Sequence, residues 1–122
     1  MKIKDALRAA DDIRPNPYLP ATKLAWLAEL DGKVALDVML TDISEAQHFN
    51  YTERDMDTEL LVQFPHDRMY VLYLAAMMDY AADEMKKYEN DMKLFNAAWG
   101  EFVRWFARTY EPAQREDECC CE

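Results

Sequence analysis

Residues 69–110 read MYVLYLAAMMDYAADEMKKYENDMKLFNAAWGEFVRWFARTY, a stretch with no proline and a single glycine, Gly100. Within it Leu74, Met78, Ala81, Met85, Tyr88, Met92, Phe95, Trp99, Phe102, Phe106 and Tyr110 follow one another at steps of three or four. That spacing keeps one apolar stripe on one face of an α-helix. The opening segment, Met69 to Met78, is apolar on every side and predicts the centre of the core. Further on, Asp83, Glu84, Lys86, Lys87, Glu89, Asn90 and Lys93 confine the stripe to one face. A continuous helix from Asp67 to Tyr110 would be about 65 Å long, longer than a domain of this size is wide. A helix that overhangs its own core needs a further surface to lie against. A kink near Glu89-Asn90-Asp91 is the alternative, and it turns the segment into an antiparallel hairpin.

Upstream, Ile3, Ala6, Leu7, Ala10 and Ile13 recur at helical spacing, so residues 2–13 read as a short amphipathic helix. Pro15, Pro17 and Pro20 end it and make Arg14–Pro20 an extended connector, because residues before proline avoid the helical basin. Thr22 is the expected N-cap of a second helix carrying Leu24, Trp26, Leu27, Leu30, Val34 and Val38. Gly32 weakens that helix by about 1 kcal/mol relative to alanine, or marks close packing against a neighbour. Residues 42–65 are rich in turn and cap formers (Asp42, Ser44, Asn50, Thr52, Asp55, Asp57, Thr58), with Glu59–Phe64 a candidate extended stretch. A loop of this length in a small domain is usually functional or interfacial. Pro65 is the expected start of the long helix, where a missing N–H costs nothing.

The fold class that follows is all-α: a small helical bundle with one long C-terminal amphipathic helix, kinked or not near residue 90, and an irregular loop at about 42–65. One helical domain covers residues 1–112, and residues 113–122 form an acidic, cysteine-containing flexible tail.

Composition narrows the function classes. Of the 122 residues 51% are apolar, which suits a folded chain, and 14 basic against 24 acidic residues leave a net charge of −10. That balance argues against tight binding to nucleic acid or to an anionic membrane, both of which rest on Lys and Arg neutralising phosphates. No apolar run is long enough to span a bilayer, and Met1-Lys2-Ile3-Lys4-Asp5 lacks a signal-peptide core, so an intracellular protein is expected. The three cysteines, Cys119, Cys120 and Cys121, lie side by side in the tail, outside any C-x-x-C spacing. A solvated tail with reduced thiols is the reading favoured for them.

Motifs for chemistry are sparse. Glu45-x-x-His48 has the spacing of half a carboxylate-bridged di-metal site, but His66 has Gln63 three residues before it rather than a glutamate. Two histidines supply a catalytic triad poorly, and two glycines exclude a phosphate-cradling loop. Asp55, Asp57 and Glu59 alternate, without the central glycine and terminal glutamate of a calcium loop. No catalytic, cofactor-binding or metal-ligating residue is assigned. Among the aromatics, Phe95, Trp99, Phe102 and Phe106 read as core. Arg104 and Trp105 fall off that stripe; a tryptophan beside an arginine on an outward face is typical of an interface anchor. Arg104, Trp105, Arg108, Tyr110, Glu111 and Pro112 are therefore the candidate interface residues.

Six stretches carry a resemblance. They are Ile3-Lys4-Asp5-Ala6-Leu7 with Arg14-Pro15-Asn16-Pro17-Tyr18; Lys23-Leu24-Ala25-Trp26-Leu27-Ala28-Glu29-Leu30-Asp31-Gly32-Lys33-Val34; and Asp57-Thr58-Glu59-Leu60-Leu61-Val62 followed by Tyr70–Asp79 and Tyr88–Asn96. Together they resemble the head–tail connector (adaptor, head-completion) proteins of tailed phages and prophages over nearly all of residues 2–112. The resemblance implies a mostly helical virion subunit, made in the host cytoplasm, that joins its neighbours in a ring beneath the portal. The ring extends the channel through which DNA is packaged and ejected. It further implies no cofactor, no bond broken, and DNA that passes without sequence-specific binding. Its partners would be the portal ring, neighbouring connector subunits and a tail-side completion or stopper protein, with no membrane. The end of the long helix and Glu111–Glu122 would dock on the portal. The three tail cysteines depart from the family pattern. Other readings stay open: a tail-side completion protein of the same virion, a small acidic helical module that captures a basic partner, and a helical metalloenzyme using Glu45 and His48.

Overall fold

The computed structural model describes residues 1–40, 42–46 and 49–121, with side chains through Thr109 save those of Glu45 and Ala46. Among these residues the α-helices are α1 (Ile3–Ile13), α2 (Pro20–Lys33), the single-turn α3 (Ile43–Ala46), α4 (Arg68–Ala81) and α5 (Met85–Cys121). A π-helical turn, Val34–Val38, prolongs α2, and a 3-10 turn, Glu53–Asp55, sits in the loop after α3. No strand forms among the described residues; Lys2 and Glu59 make an isolated antiparallel bridge.

The bundle is built round α4. Met69, Tyr70, Val71, Leu74, Ala75, Ala76 and Met78 are all buried, as an all-round apolar segment requires. Burying each of the larger ones is worth about 1.5–3 kcal/mol. Against α4 lie α1, through Ile3, Ala6, Leu7 and Ala10, and α2, through Leu24, Leu27 and Leu30, with α5 on the remaining side. Phe95 and Phe102 of α5 enter the same core, and Trp99 and Phe106 pack against it half-buried.

Two helix starts differ from expectation. α2 begins at Pro20 after an extended Leu19, not after a Thr22 cap, because proline at the first position gives up an N–H that would have no partner. α4 begins at Arg68, three residues after Pro65, whose peptide bond to Phe64 is cis. The loop before it is anchored rather than free. Leu60 and Val62 are buried, the Thr52 and Asp55 side chains cap the 3-10 turn reciprocally, and Thr58 and Met56 carbonyls accept the N–H groups of Ile3 and Lys4.

The continuous helix from Asp67 to Tyr110 is not formed. The chain turns back at Ala82–Glu84, seven residues before the expected kink, and α4 and α5 make an antiparallel hairpin. Asp83 adopts φ 60°, its N–H bonds the Tyr80 carbonyl, and the Glu84 N–H bonds the Asp79 carbonyl. This pair of bonds is the Schellman arrangement that closes a helix, with aspartate in the left-handed position that glycine usually holds. The long C-terminal helix is therefore α5 alone, about 37 Å from Met85 to Thr109.

Candidate interaction surface

Ring contacts fix the register of the hairpin. Tyr80 meets Tyr88 at 5.3 Å between centroids, Tyr73 meets Phe95 at 5.3 Å, and His66 meets Phe102 at 5.9 Å. Each step is seven residues back along one limb and seven forward along the other, two helical turns at a time. Arg68, the first residue of α4, is thus level with Gly100, and α5 continues beyond it. Past that level the helix leans on His66, whose ring lies 5.2 Å from that of Trp105.

The sequence-predicted interface residues divide at Thr109. Arg104, Trp105 and Arg108 lie exposed on the outer side of α5 near this end. Trp105 keeps 38% of its surface in solvent, whereas Phe102, one turn earlier and stacked against it, keeps 2%. The Arg104 guanidinium folds back along its own helix toward Gly100. Leu94 and Val103 add exposed apolar surface on α5. The side chains of Tyr110, Glu111, Pro112, Cys119, Cys120 and Cys121 lie outside the described residues, as do His48 and the Glu45 side chain. Among the described residues no three His, Cys, Asp or Glu side chains are placed to hold a metal.

A second exposed feature is a groove of about 550 Å³ along α2 and its π-helical extension. Ala25, Ala28, Gly32 and Leu36 lie along it, with Glu29 and Asp37 beside them. Gly32 therefore opens a furrow, where the sequence allowed either a weak point or close packing. Leu40, at the end of the π-helical turn, has φ 57° and is 81% exposed, and Ile43 is exposed nearby.

Two buried polar clusters, which the sequence pattern did not reveal, hold these surfaces in place. Asp31, fully buried, accepts hydrogen bonds from Tyr70 Oη at 2.6 Å, Tyr51 Oη at 2.5 Å and the Leu61 N–H. Tyr70 Oη in turn accepts from the Val62 N–H at 2.8 Å. Burial pushes the Asp31 carboxyl above its ordinary range, and burial together with the facing carboxylate pushes both phenols up. The network ties α2, α4 and the loop to one another.

The second cluster lies near the turn end of the hairpin. Arg14, from the connector after α1, reaches between Asp79 of α4 and Asp91 of α5, both buried. One guanidinium faces two carboxyls. Burial, and then the hydrogen bond and charge of Asp79 working against Arg14, push Asp91 up to about 6. Nearby, buried Lys23 pairs with Asp11 at 2.7 Å, and Asn16 bonds the same carboxylate. A buried Arg, Lys or Asp without its partner would cost several kcal/mol, so these are ties between elements.

Comparison of the chain with family models, with curated proteins and with solved structures finds no match. Among the described residues no helix is long and apolar enough to cross a membrane.

Proposed function

We propose that this chain is a structural virion subunit, a head–tail connector (adaptor) that assembles as a ring beneath the portal of a tailed phage or prophage and prolongs the DNA channel. The observation that carries the reading is that α5 outgrows the bundle. Its outward side presents Leu94 and Trp105 with Arg104 and Arg108, and Val103 is exposed on the opposite flank. Exposed aromatic and arginine side chains on the outer side of a long helix are the composition of assembly anchors. The sequence resemblance over residues 2–112 supplies the partners: the portal ring, the next connector subunit and the tail-side completion protein. The end of α5 and the segment Glu111–Glu122 dock on the portal. A charge of −10 suits a wall past which DNA slides, since acidic groups repel phosphate at short range. In this reading the protein breaks no bond and uses no cofactor.

The test is native mass, measured on the protein alone and then with the portal ring of the same phage genome. About one copy bound per portal subunit is the expected result. A protein that stays monomeric and ignores the portal would overturn the proposal and leave the tail-side or acidic-module readings.

A further inference from the structure

The projecting end of α5 and the groove on α2 are complementary, and we infer that they are the two halves of one contact between copies of this chain: Trp105 of one subunit, flanked by Arg104 and Arg108, seats in the α2 groove of the next. The inference rests on the connector reading and specifies its subunit contact.

The groove runs between the small residues Ala25, Ala28 and Gly32 with Leu36 along α2, and Ile43, Phe49 and Asn50 on the facing side. Its charge is set by which side chains are already engaged. Lys33 also lines it, but its ammonium lies over the Trp99 ring at 5.3 Å. Glu29 accepts a hydrogen bond from Tyr73, and Asp37 is exposed with no ion pair among the described residues. The groove thus carries two carboxylates, Glu29 and Asp37, against one ammonium, Lys33, which is drawn to the Trp99 ring at one side of it.

The occupant has the converse make-up. Arg104 and Arg108 stand one turn apart on one flank of a tryptophan that is 38% exposed, neither in an ion pair with a described residue. In a chain with 24 acidic residues and 14 basic ones, this apposition of two arginines and an exposed indole is an uncommon surface. Guanidinium pairs well with carboxylate, and a ring seated in the groove supplies the desolvated anchor.

Geometry directs the contact outward. Lys33 places the groove beside Trp99, and Trp105 is about 120° further round α5 at 100° per residue. The anchor therefore points away from the groove of its own chain. A contact between two different patches is heterologous, and repeated with a closing rotation it generates a ring.

Charge exchange tests this on exposed residues whose replacement leaves the core intact. Asp37→Arg and Arg108→Asp are each expected to lower assembly on the portal ring at least tenfold, and the two changes together to restore it. Trp105→Ala should weaken assembly tenfold or more. If both single reversals assemble like the parent, or if the double variant does not recover, the groove contact is wrong while the connector reading stands. If Trp105→Ala abolishes binding of single copies to the portal, the anchor belongs to the portal and the inference falls. A parent chain that forms no assembly with or without the portal overturns both readings.

Discussion

Replacing Tyr70 with phenylalanine isolates the network at the centre of the bundle. The ring stays, so the volume of the core is unchanged, and only the hydroxyl is lost. That hydroxyl donates to the buried Asp31 carboxylate at 2.6 Å and accepts from the Val62 N–H at 2.8 Å. A hydrogen bond to a charged group contributes about 1.5–3 kcal/mol, and a buried N–H left without a partner costs about 1–3 kcal/mol. Asp31 still has Tyr51 and Leu61, which offsets part of the loss. The expected destabilisation is about 3 kcal/mol, a fall in Tm of about 10 °C for a domain of this size. Urea unfolding followed by far-UV circular dichroism measures it, and a cycle with Asp31→Asn should show a coupling of about 1 kcal/mol or more. A loss under about 1 kcal/mol, with no coupling, would mean that the loop at Leu60–Val62 is held by packing and that the network reasoning is wrong.

Other expectations concern the hairpin. Arg14→Leu removes the cation that pairs with Asp79 and Asp91 among the described residues and should cost about 3–5 kcal/mol near neutral pH, read by thermal melts. Because the folded-state pKa of Asp91 is raised above the ordinary carboxylate value, the stability it contributes is present at low pH and is lost as pH rises through about 6. Asp91→Asn should therefore flatten the stability profile between about pH 4 and 6; an unchanged slope in pH-dependent urea titrations would remove Asp91 as its source. Asp83→Gly places the residue suited to φ 60° at the end of α4 and should stabilise by about 0.5–1 kcal/mol, whereas Asp83→Val should destabilise.

The helical class was legible because apolar residues in one period decide it: Met69–Met78 is buried save for Leu72, Tyr73 and Met77, which are half-buried, and Phe95 and Phe102 face inward, as their spacing requires. The turn at Ala82–Glu84 was not. The steps from Met78 to Ala81, Met85 and Tyr88 remain three and four across the reversal, and aspartate instead of glycine occupies the left-handed position. A period carries no sign of direction, so a helix and a tight hairpin look alike through it. The exposed Trp105 was readable from its departure from the stripe. The α2 groove was not, since Ala25, Ala28 and Gly32 acquire meaning only once the space beside them is seen to be open among the described residues. Asp31 and Asp79 were equally silent: an aspartate in an amphipathic pattern reads as solvent-facing until its partners, 39 and 65 residues away, are known.

The seven-residue register of the hairpin also sets an order of assembly in time. Tyr80 and Tyr88 are eight residues apart, and each later pair on the two limbs is reached by zipping outward from the turn, at little cost in loop entropy. The Asp31 ties close loops of 20 and 39 residues and have nothing to nucleate them until α4 exists. Conservative variants at Tyr73 and Phe95 should accordingly slow refolding, while those at Asp31 and Tyr51 should chiefly speed unfolding, a division that chevron analysis resolves. The long helix α5 is then among the first parts of the bundle to take shape.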